Sequence, residues 1–195
     1  MTRPKKQMPL GIALGFEAFL GALAISLALI FGLAPWLDMQ PTLSAIVLGV
    51  LTTLPLLASM LLIAHSQWQW ASALDRLVRD VVATLFAKSS RSAIVLVSLM
   101  AGLCEELLFR GVIQGGLAQL IGPWWALALA SLLFGLAHAL SKAYFVVTTL
   151  AGLYFGWLYL WTGSLMVPII AHALYDWAAL EYYLKEHRRG ESNHG

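Results

Sequence analysis

Charged residues are scarce in this sequence, and their scarcity excludes the common soluble classes. Asp, Glu, Lys and Arg together make up 11% of the 195 residues, whereas hydrophobic residues make up 60%. A typical soluble domain carries about 25% charged residues. The net charge is only +2 and the basic residues do not cluster as a stripe, so nucleic acid is excluded as a partner. The composition instead indicates an integral membrane protein, with the lipid bilayer as one partner.

Cysteine is almost absent as well. Cys104 is the single cysteine, so an internal disulfide and a cysteine-rich metal site are both excluded, and we interpret Cys104 as a packing residue. The zinc-protease signature H-E-x-x-H is also missing. No soluble segment is long enough to form a second core. The sequence therefore predicts a single transmembrane domain over residues 1–195.

Apolar runs of the length that crosses a bilayer, about 17–25 residues, recur along the chain. Six runs of at least this length occupy residues 10–34, 43–64, 92–120, 124–140, 143–161 and 164–184. Each run predicts one transmembrane helix. The polar tail at residues 185–195 is expected to be loosely structured.

Residues 68–88 have a different pattern. Apolar residues recur at three- and four-residue steps from Leu74 to Phe86, while two aspartates and two arginines fill the opposite side. This periodicity is typical of an amphipathic helix that lies in the membrane interface. The predicted fold class is therefore all-α: a polytopic membrane helix bundle of six transmembrane helices plus one cytoplasmic-side amphipathic interfacial helix. We interpret that helix first as an anchor, and second as a gate or dock for a substrate.

The lysines and arginines predict the orientation in the membrane. With six spans and a cytoplasmic N-terminus, eleven of the twelve basic residues fall in cytoplasmic segments, and the twelfth, Arg110, lies within a span. This distribution follows the positive-inside rule. Both termini are therefore predicted to be cytoplasmic.

The sequence C-E-E-L-L-F-R at residues 104–110 places three ionisable groups inside an apolar run. Each such group costs roughly 2.5–3.5 kcal/mol at the centre of a membrane helix, so the cluster indicates a functional site. Glu106 and Arg110 are four residues apart, so on a helix they face each other and can pair. Glu105 points about 100° away and lacks that partner, which makes it the candidate proton acceptor. The alternative interpretation of Glu106 and Arg110 is a salt bridge that only locks two helices together.

Further polar residues lie on two later spans. His138 is near the inner end of the fourth span, and His172 and Asp176 share one face of the sixth because they are four residues apart. A carboxylate and imidazoles that converge in a wet cavity suit the activation of water for attack on a carbonyl group. The same set would equally suit a metal ion bound by Glu105, His138 and His172.

Glu17, in the first span, belongs to no motif. Its depth suggests that it pairs with an arginine on the cytoplasmic side or with another helix. A role in the site is the less favoured interpretation.

Three motifs on successive spans resemble one known family. They are E-E-x-x-x-R at residues 105–110, F-x-x-x-H at residues 134–138 and H-x-x-x-(N/D) at residues 172–176. This ordered set resembles the CPBP family, the CAAX-protease and bacteriocin-processing (Abi) intramembrane endopeptidases. The motifs lie within residues 101–177, and we expect the family-like catalytic core at about residues 92–184.

The resemblance implies an intramembrane endopeptidase of the glutamic type that acts on a membrane-associated peptide or protein. Glu105 and His138 would activate the attacking water, and His172 would stabilise the oxyanion. Many family members have Asn at the last motif position, where this chain has Asp176. An ionised aspartate only accepts hydrogen bonds, so we expect Asp176 to orient His172 rather than to donate to the oxyanion.

Glu106 and Arg110 would support the shape of this site. The preferred interpretation requires no cofactor, and a zinc-dependent protease at the same residues is an alternative. A second alternative, from another class, is a non-catalytic membrane transporter or immunity protein that binds its ligand in the same polar pocket. Neither the substrate nor the oligomeric state is indicated by the sequence.

Overall fold

A computed structural model describes residues 10–192, without the side chains of residues 190–192, and shows an all-helical chain. Its seven helices are α1 (Leu10–Ile30), α2 (Leu43–Ala64), α3 (Gln69–Phe86), α4 (Arg91–Ile121), α5 (Pro123–Ala137), α6 (Lys142–Thr162) and α7 (Met166–Ser192). A short 3-10 turn, Pro35–Asp38, lies between α1 and α2. Within the described residues there is no strand, and the predicted all-α class is confirmed.

Four of these helices, α1, α2, α4 and α6, are long and apolar enough to cross a membrane. Helix α5 is apolar but has only 15 residues, and α7 is not among the four. The chain is thus a membrane helix bundle, while the count of six spans stays a prediction. Helix α7 begins at Met166, so Pro168 lies in its first turn, and it continues to Ser192. The tail that was expected to be loose is therefore helical through most of its length.

Several helix boundaries have local causes that can be read in the sequence. The Ser90 hydroxyl accepts a hydrogen bond from the Ala93 backbone nitrogen at 3.2 Å, which caps the start of α4. Ser141 caps α6 in the same way through Tyr144, at 3.1 Å. Helix α6 ends at Thr162, and the φ of 64° at the following residue, Gly163, is a left-handed conformation that glycine adopts without steric cost.

Helix α4 is the centre of the bundle. In its most apolar window 61% of the residues are buried, against 22% or less in α1, α2 and α6. A Cβ at Gly102 would lie 2.8 Å from the Ala173 backbone nitrogen and 2.9 Å from the Ile169 carbonyl oxygen. Glycine at this position therefore permits the backbones of α4 and α7 to approach closely. This approach brings Glu106 to His172.

Helix α3 confirms the predicted amphipathic segment, and its apolar face packs against the bundle. Val82 and Phe86 join a buried cluster with Met60 of α2 and Ile94 of α4. Its polar side contacts α7 through an ion pair, in which Arg79 Nη1 lies 3.8 Å from Glu186 Oε2. A position in the membrane interface stays a prediction.

Candidate active site

The candidate site begins where α4 changes its winding. Glu105 and Glu106 end the regular first part of α4, and a π-helical segment, Leu107–Gln114, follows. Wider π-helical turns are rare and occur frequently at functional sites. Across this junction Arg110 Nη1 donates to Glu106 Oε1 at 2.9 Å, with both side chains buried. The predicted pairing of Glu106 with Arg110 is confirmed.

Arg110 is held by three kinds of contact. Besides Glu106, its Nη2 donates to the Gly152 carbonyl oxygen of α6 at 3.0 Å. Its guanidinium carbon lies 4.4 Å from the centroid of the Phe134 ring, a distance typical of a cation–π contact. These contacts compensate for the desolvation of a buried charge, which is costly without partners.

Gln114 repeats this arrangement one turn later, and sequence reasoning missed it. Its Nε2 donates to the Gly156 carbonyl oxygen at 3.0 Å, so Arg110 and Gln114 reach two glycines that are also four residues apart. A Cβ at Gly152 would lie 3.1 Å from Cα of Ser131 in α5, so α6 packs tightly here. The signal was present in the sequence as two polar residues and two glycines with the same spacing.

Glu105 faces His138 and not Arg110. The distance between Glu105 Oε2 and His138 Nε2 is 3.6 Å, longer than a hydrogen bond. The Nδ1 of His138 lies 2.9 Å from the Phe134 carbonyl oxygen, which can only accept, so Nδ1 carries the proton and Nε2 presents a lone pair. Glu105 Oε2 is buried and has no hydrogen-bond partner among the described residues. The two groups thus turn acceptor atoms toward the same space.

His138 lies directly after α5 rather than inside the helix. The helix stops at Ala137, three residues before the predicted end of that span, and His138 is the residue that follows the last helical turn. Its side chain is 28% exposed, whereas that of Glu105 is 7% exposed. The imidazole therefore reaches the buried carboxylate from a more open position.

His172 is bound by Glu106 from the neighbouring helix. The Nδ1 of His172 lies 2.8 Å from Glu106 Oε1, and its Nε2 lies 3.6 Å from Asp176 Oδ2. The ring also stacks on Phe155 of α6, with centroids 4.8 Å apart and an interplanar angle of 16°. Of the two carboxylates, Glu106 makes the hydrogen bond. Phe155 is a second neighbour of the site that sequence reasoning did not single out.

The structure therefore brings all six predicted site residues into one cluster, supplied by α4, the end of α5, and α7. A cavity of about 510 Å³ reaches this cluster and is lined by Glu105 and Asp176. Its walls are otherwise mostly apolar and include residues of α3, such as Val78 and Val82. Glu17 of α1 lines the same cavity.

The described side chains do not form a set of metal ligands. Among the described side chains of residues 10–189, no group of three or more His, Cys, Asp and Glu residues is arranged to hold a metal ion. The Nδ1 of His172 is bonded to Glu106, and the Nδ1 of His138 to a carbonyl oxygen.

The fold and the site together define a class, an integral membrane protein with carboxylate and imidazole groups buried between its helices. Residues 87–178 match the family described as Type II CAAX prenyl endopeptidase Rce1-like. This segment contains all three ordered motifs, and the predicted resemblance is confirmed. Residues 87–178, slightly less than half of the chain, are therefore similar to the Rce1-like CAAX prenyl endopeptidases.

Two Bacillus subtilis (strain 168) proteins are similar to part of the chain. "Uncharacterized protein YpbD" is 39% identical over 95 residues, which are 47% of this chain and 46% of that protein. "Putative membrane peptidase YdiL" is 33% identical over 81 residues, which are 42% of this chain and 33% of that protein. The matches thus span less than half the length of these curated relatives. No solved structure matches the chain.

Proposed function

We propose that this protein is an intramembrane endopeptidase that hydrolyses a peptide bond in a membrane-associated peptide or protein. The observation that carries the proposal is the Glu105–His138 pair, with 3.6 Å between Oε2 and Nε2, in which Glu105 lines a cavity whose other walls are mainly apolar. A buried carboxylate without a hydrogen-bond partner costs folding free energy, and such groups occur chiefly at functional sites. The match to a peptidase family supports the same conclusion.

The proposed reaction begins with a water molecule held between Glu105 and His138. One water O–H group donates a hydrogen bond to His138 Nε2. Glu105 accepts the other water proton as the water oxygen attacks the carbonyl carbon of the peptide bond. A tetrahedral intermediate forms with its negative charge on the former carbonyl oxygen. Glu105 then transfers its proton to the leaving nitrogen, the C–N bond breaks, and a new carboxyl group and an amine result.

His172 is the proposed oxyanion stabiliser. Its Nδ1 is hydrogen-bonded to Glu106, so Nε2 can donate to an oxyanion only if the ring is protonated on both nitrogens. Glu106 and Asp176 flank the ring and favour that charged form. We propose that Glu106 orients His172, that Asp176 supplies a second negative charge, and that Arg110 fixes Glu106.

The decisive experiment compares the purified protein in lipid nanodiscs with its Glu105→Ala and His138→Ala variants. Each is incubated with a library of membrane-protein peptides, and the new amino termini are identified by mass spectrometry. We expect cleavage to fall by about 10²–10⁴-fold in both variants, because general-base catalysis contributes on that scale. Thermal unfolding should show that both variants remain folded. Cleavage at the wild-type rate by both variants would refute the proposal.

A binding or transport protein is the second candidate, since the cavity of about 510 Å³ is large enough for a small ligand. Pull-down with Glu105→Gln separates the two candidates. Accumulation of an uncleaved precursor that the wild-type protein cleaves supports the peptidase. Recovery of the same intact ligand with both proteins supports the binding protein. A parallel incubation with a chelator, followed by restoration with zinc, tests the metal-dependent alternative.

A further inference from the structure

Glu17 of α1 is a buried carboxylate to which the proposed reaction assigns no role. The residue is 8% exposed, and its Oε2 has no hydrogen-bond partner within the described part of the chain. It lines the same cavity as Glu105 and Asp176. Glu17 is also close enough to Asp176 and His172 to interact with them electrostatically.

The position of Glu17 is fixed by a close contact between α1 and α4. Glu17 and Gly21 are four residues apart and belong to the buried face of α1. A Cβ at Gly21 would lie 2.9 Å from Sγ of Cys104, the residue that precedes Glu105. Glu17 therefore lies one helical turn before the point at which α1 contacts Cys104, directly next to the acidic pair of α4.

Among the described residues, the cavity lining contains no positive side chain that could pair with Glu17. Over residues 10–189 this lining includes three carboxylates, Glu17, Glu105 and Asp176, and no lysine, arginine or histidine. Two basic groups of the site cluster, Arg110 and His172, are already engaged. Arg110 donates to Glu106 and Gly152, and His172 binds Glu106 and faces Asp176. A buried carboxylate is strongly disfavoured unless a cation or hydrogen-bond donor pairs with it.

The remainder of the lining is mainly apolar and includes one face of α3. Val78, Val82 and Phe86 contribute to it, together with Met60 of α2 and Val97 of α4. The polar atoms apart from the carboxylates are hydroxyl groups, such as those of Ser98 and Tyr144. A complementary occupant has an apolar body and one cationic group.

We propose that Glu17 is a specificity-determining residue that pairs with the ammonium or guanidinium group of a lysine or arginine in an apolar segment of the substrate. The charge of the cavity and its apolar walls select such a segment over a neutral one. As a statement about substrates, this inference rests on the proposed peptidase function. The claim that Glu17 binds a cationic group does not depend on the peptidase function.

The binding test uses two probes that the protein cannot hydrolyse, n-dodecylamine and n-dodecanol, which share the alkyl chain and differ in charge. Their affinities are measured by ligand-dependent thermal unfolding in uncharged nanodiscs, for wild type, Glu17→Gln and Glu181→Gln. The last variant is a matched control, since Glu181 lies on α7 and does not line the cavity. We expect wild type and Glu181→Gln to prefer the amine by about tenfold or more, and Glu17→Gln to lose this preference. An amine preference that persists in Glu17→Gln, or is absent from wild type, overturns the inference.

A cleavage test then separates this inference from the proposed function. Peptide-library cleavage sites that depend on Glu105 are collected for wild type and for Glu17→Gln. We expect lysine and arginine to be enriched near the wild-type sites and this enrichment to disappear in Glu17→Gln, while sites without a basic residue are still cleaved. Glu105-dependent cleavage without such enrichment refutes the role of Glu17 in specificity alone. No Glu105-dependent cleavage refutes the peptidase, and the amine-binding result then decides the binding claim by itself.

Discussion

Glu106 connects Arg110 of α4 with His172 of α7 through a single oxygen atom. Its Oε1 lies 2.9 Å from Arg110 Nη1 and 2.8 Å from His172 Nδ1, and the residue is completely buried. Glu105, the adjacent residue, makes no such bonds and faces the cavity. At the residue scale, Glu106 is held by hydrogen bonds to Arg110 and His172, whereas the carboxylate of Glu105 faces the cavity.

This difference predicts opposite effects for two identical substitutions. Glu106→Gln should lower the free energy of unfolding by about 3–5 kcal/mol, because it leaves the buried Arg110 guanidinium without its carboxylate. Glu105→Gln should not lower stability, because it removes an unpaired buried charge, and it should abolish cleavage. Thermal and denaturant unfolding in mild detergent measure the first effect, and the library assay measures the second. Equal stability of the two variants would contradict this assignment of roles.

Close helix contacts act at the scale of the element. The i, i+4 spacing within a motif was sufficient to predict that Glu106 and Arg110 pair, since both lie on one helix. The partner of His172 could not be predicted in this way. His172 and Asp176 share a helix face, yet the hydrogen bond goes to Glu106 because Gly102 lets α4 approach α7.

Gly102→Ala tests this contact. The added Cβ would collide with backbone atoms of Ala173 and Ile169, which cannot move as a flexible side chain does. We expect a loss of about 1–3 kcal/mol in stability, together with reduced cleavage as Glu106 moves from His172. Unfolding measurements and the library assay report the two effects.

Gly15→Ala is the matched control, since nothing lies within 4 Å of a Cβ at that position of α1. It should leave cleavage unchanged and stability unchanged or slightly higher, because alanine favours a helix over glycine. If both alanine variants behave alike, the close approach of α4 and α7 does not determine the site.

At the scale of the whole molecule, the connections at one end of the bundle are compatible with the predicted topology. The Leu165 backbone nitrogen donates to the Asp38 carbonyl oxygen at 2.9 Å, and the Tyr159 hydroxyl donates to the Asp38 carboxylate at 2.6 Å. The segment after α1 and the segment after α6 therefore lie at the same end. A topology of six spans with a cytoplasmic N-terminus requires both segments to lie on the outer side of the membrane. The basic residues among positions 1–9, which contributed to the predicted orientation, lie outside the described residues.

Cysteine labelling tests that orientation. In a Cys104→Ala background, Gln40→Cys places a single exposed thiol between α1 and α2, and Lys142→Cys places one at the start of α6. We expect a membrane-impermeant maleimide to label position 40 in intact cells and position 142 only after the membrane is permeabilised. The reverse pattern would place the termini outside the cytoplasm.

The sequence by itself determined the membrane class, the all-helical fold, the amphipathic α3, the ordered motifs and the Glu106–Arg110 pair. Each depends on composition or on spacing within one helix, which hydrophobic burial and the 3.6-residue period translate directly into structure. Only the tertiary structure decided that Glu105 faces His138, that Glu106 binds His172, that Gln114 reaches Gly156 and that Glu17 enters the cavity. These contacts join different helices, and they depend on where residues such as Gly21 and Gly102 permit two backbones to approach, which no periodicity along a single helix encodes.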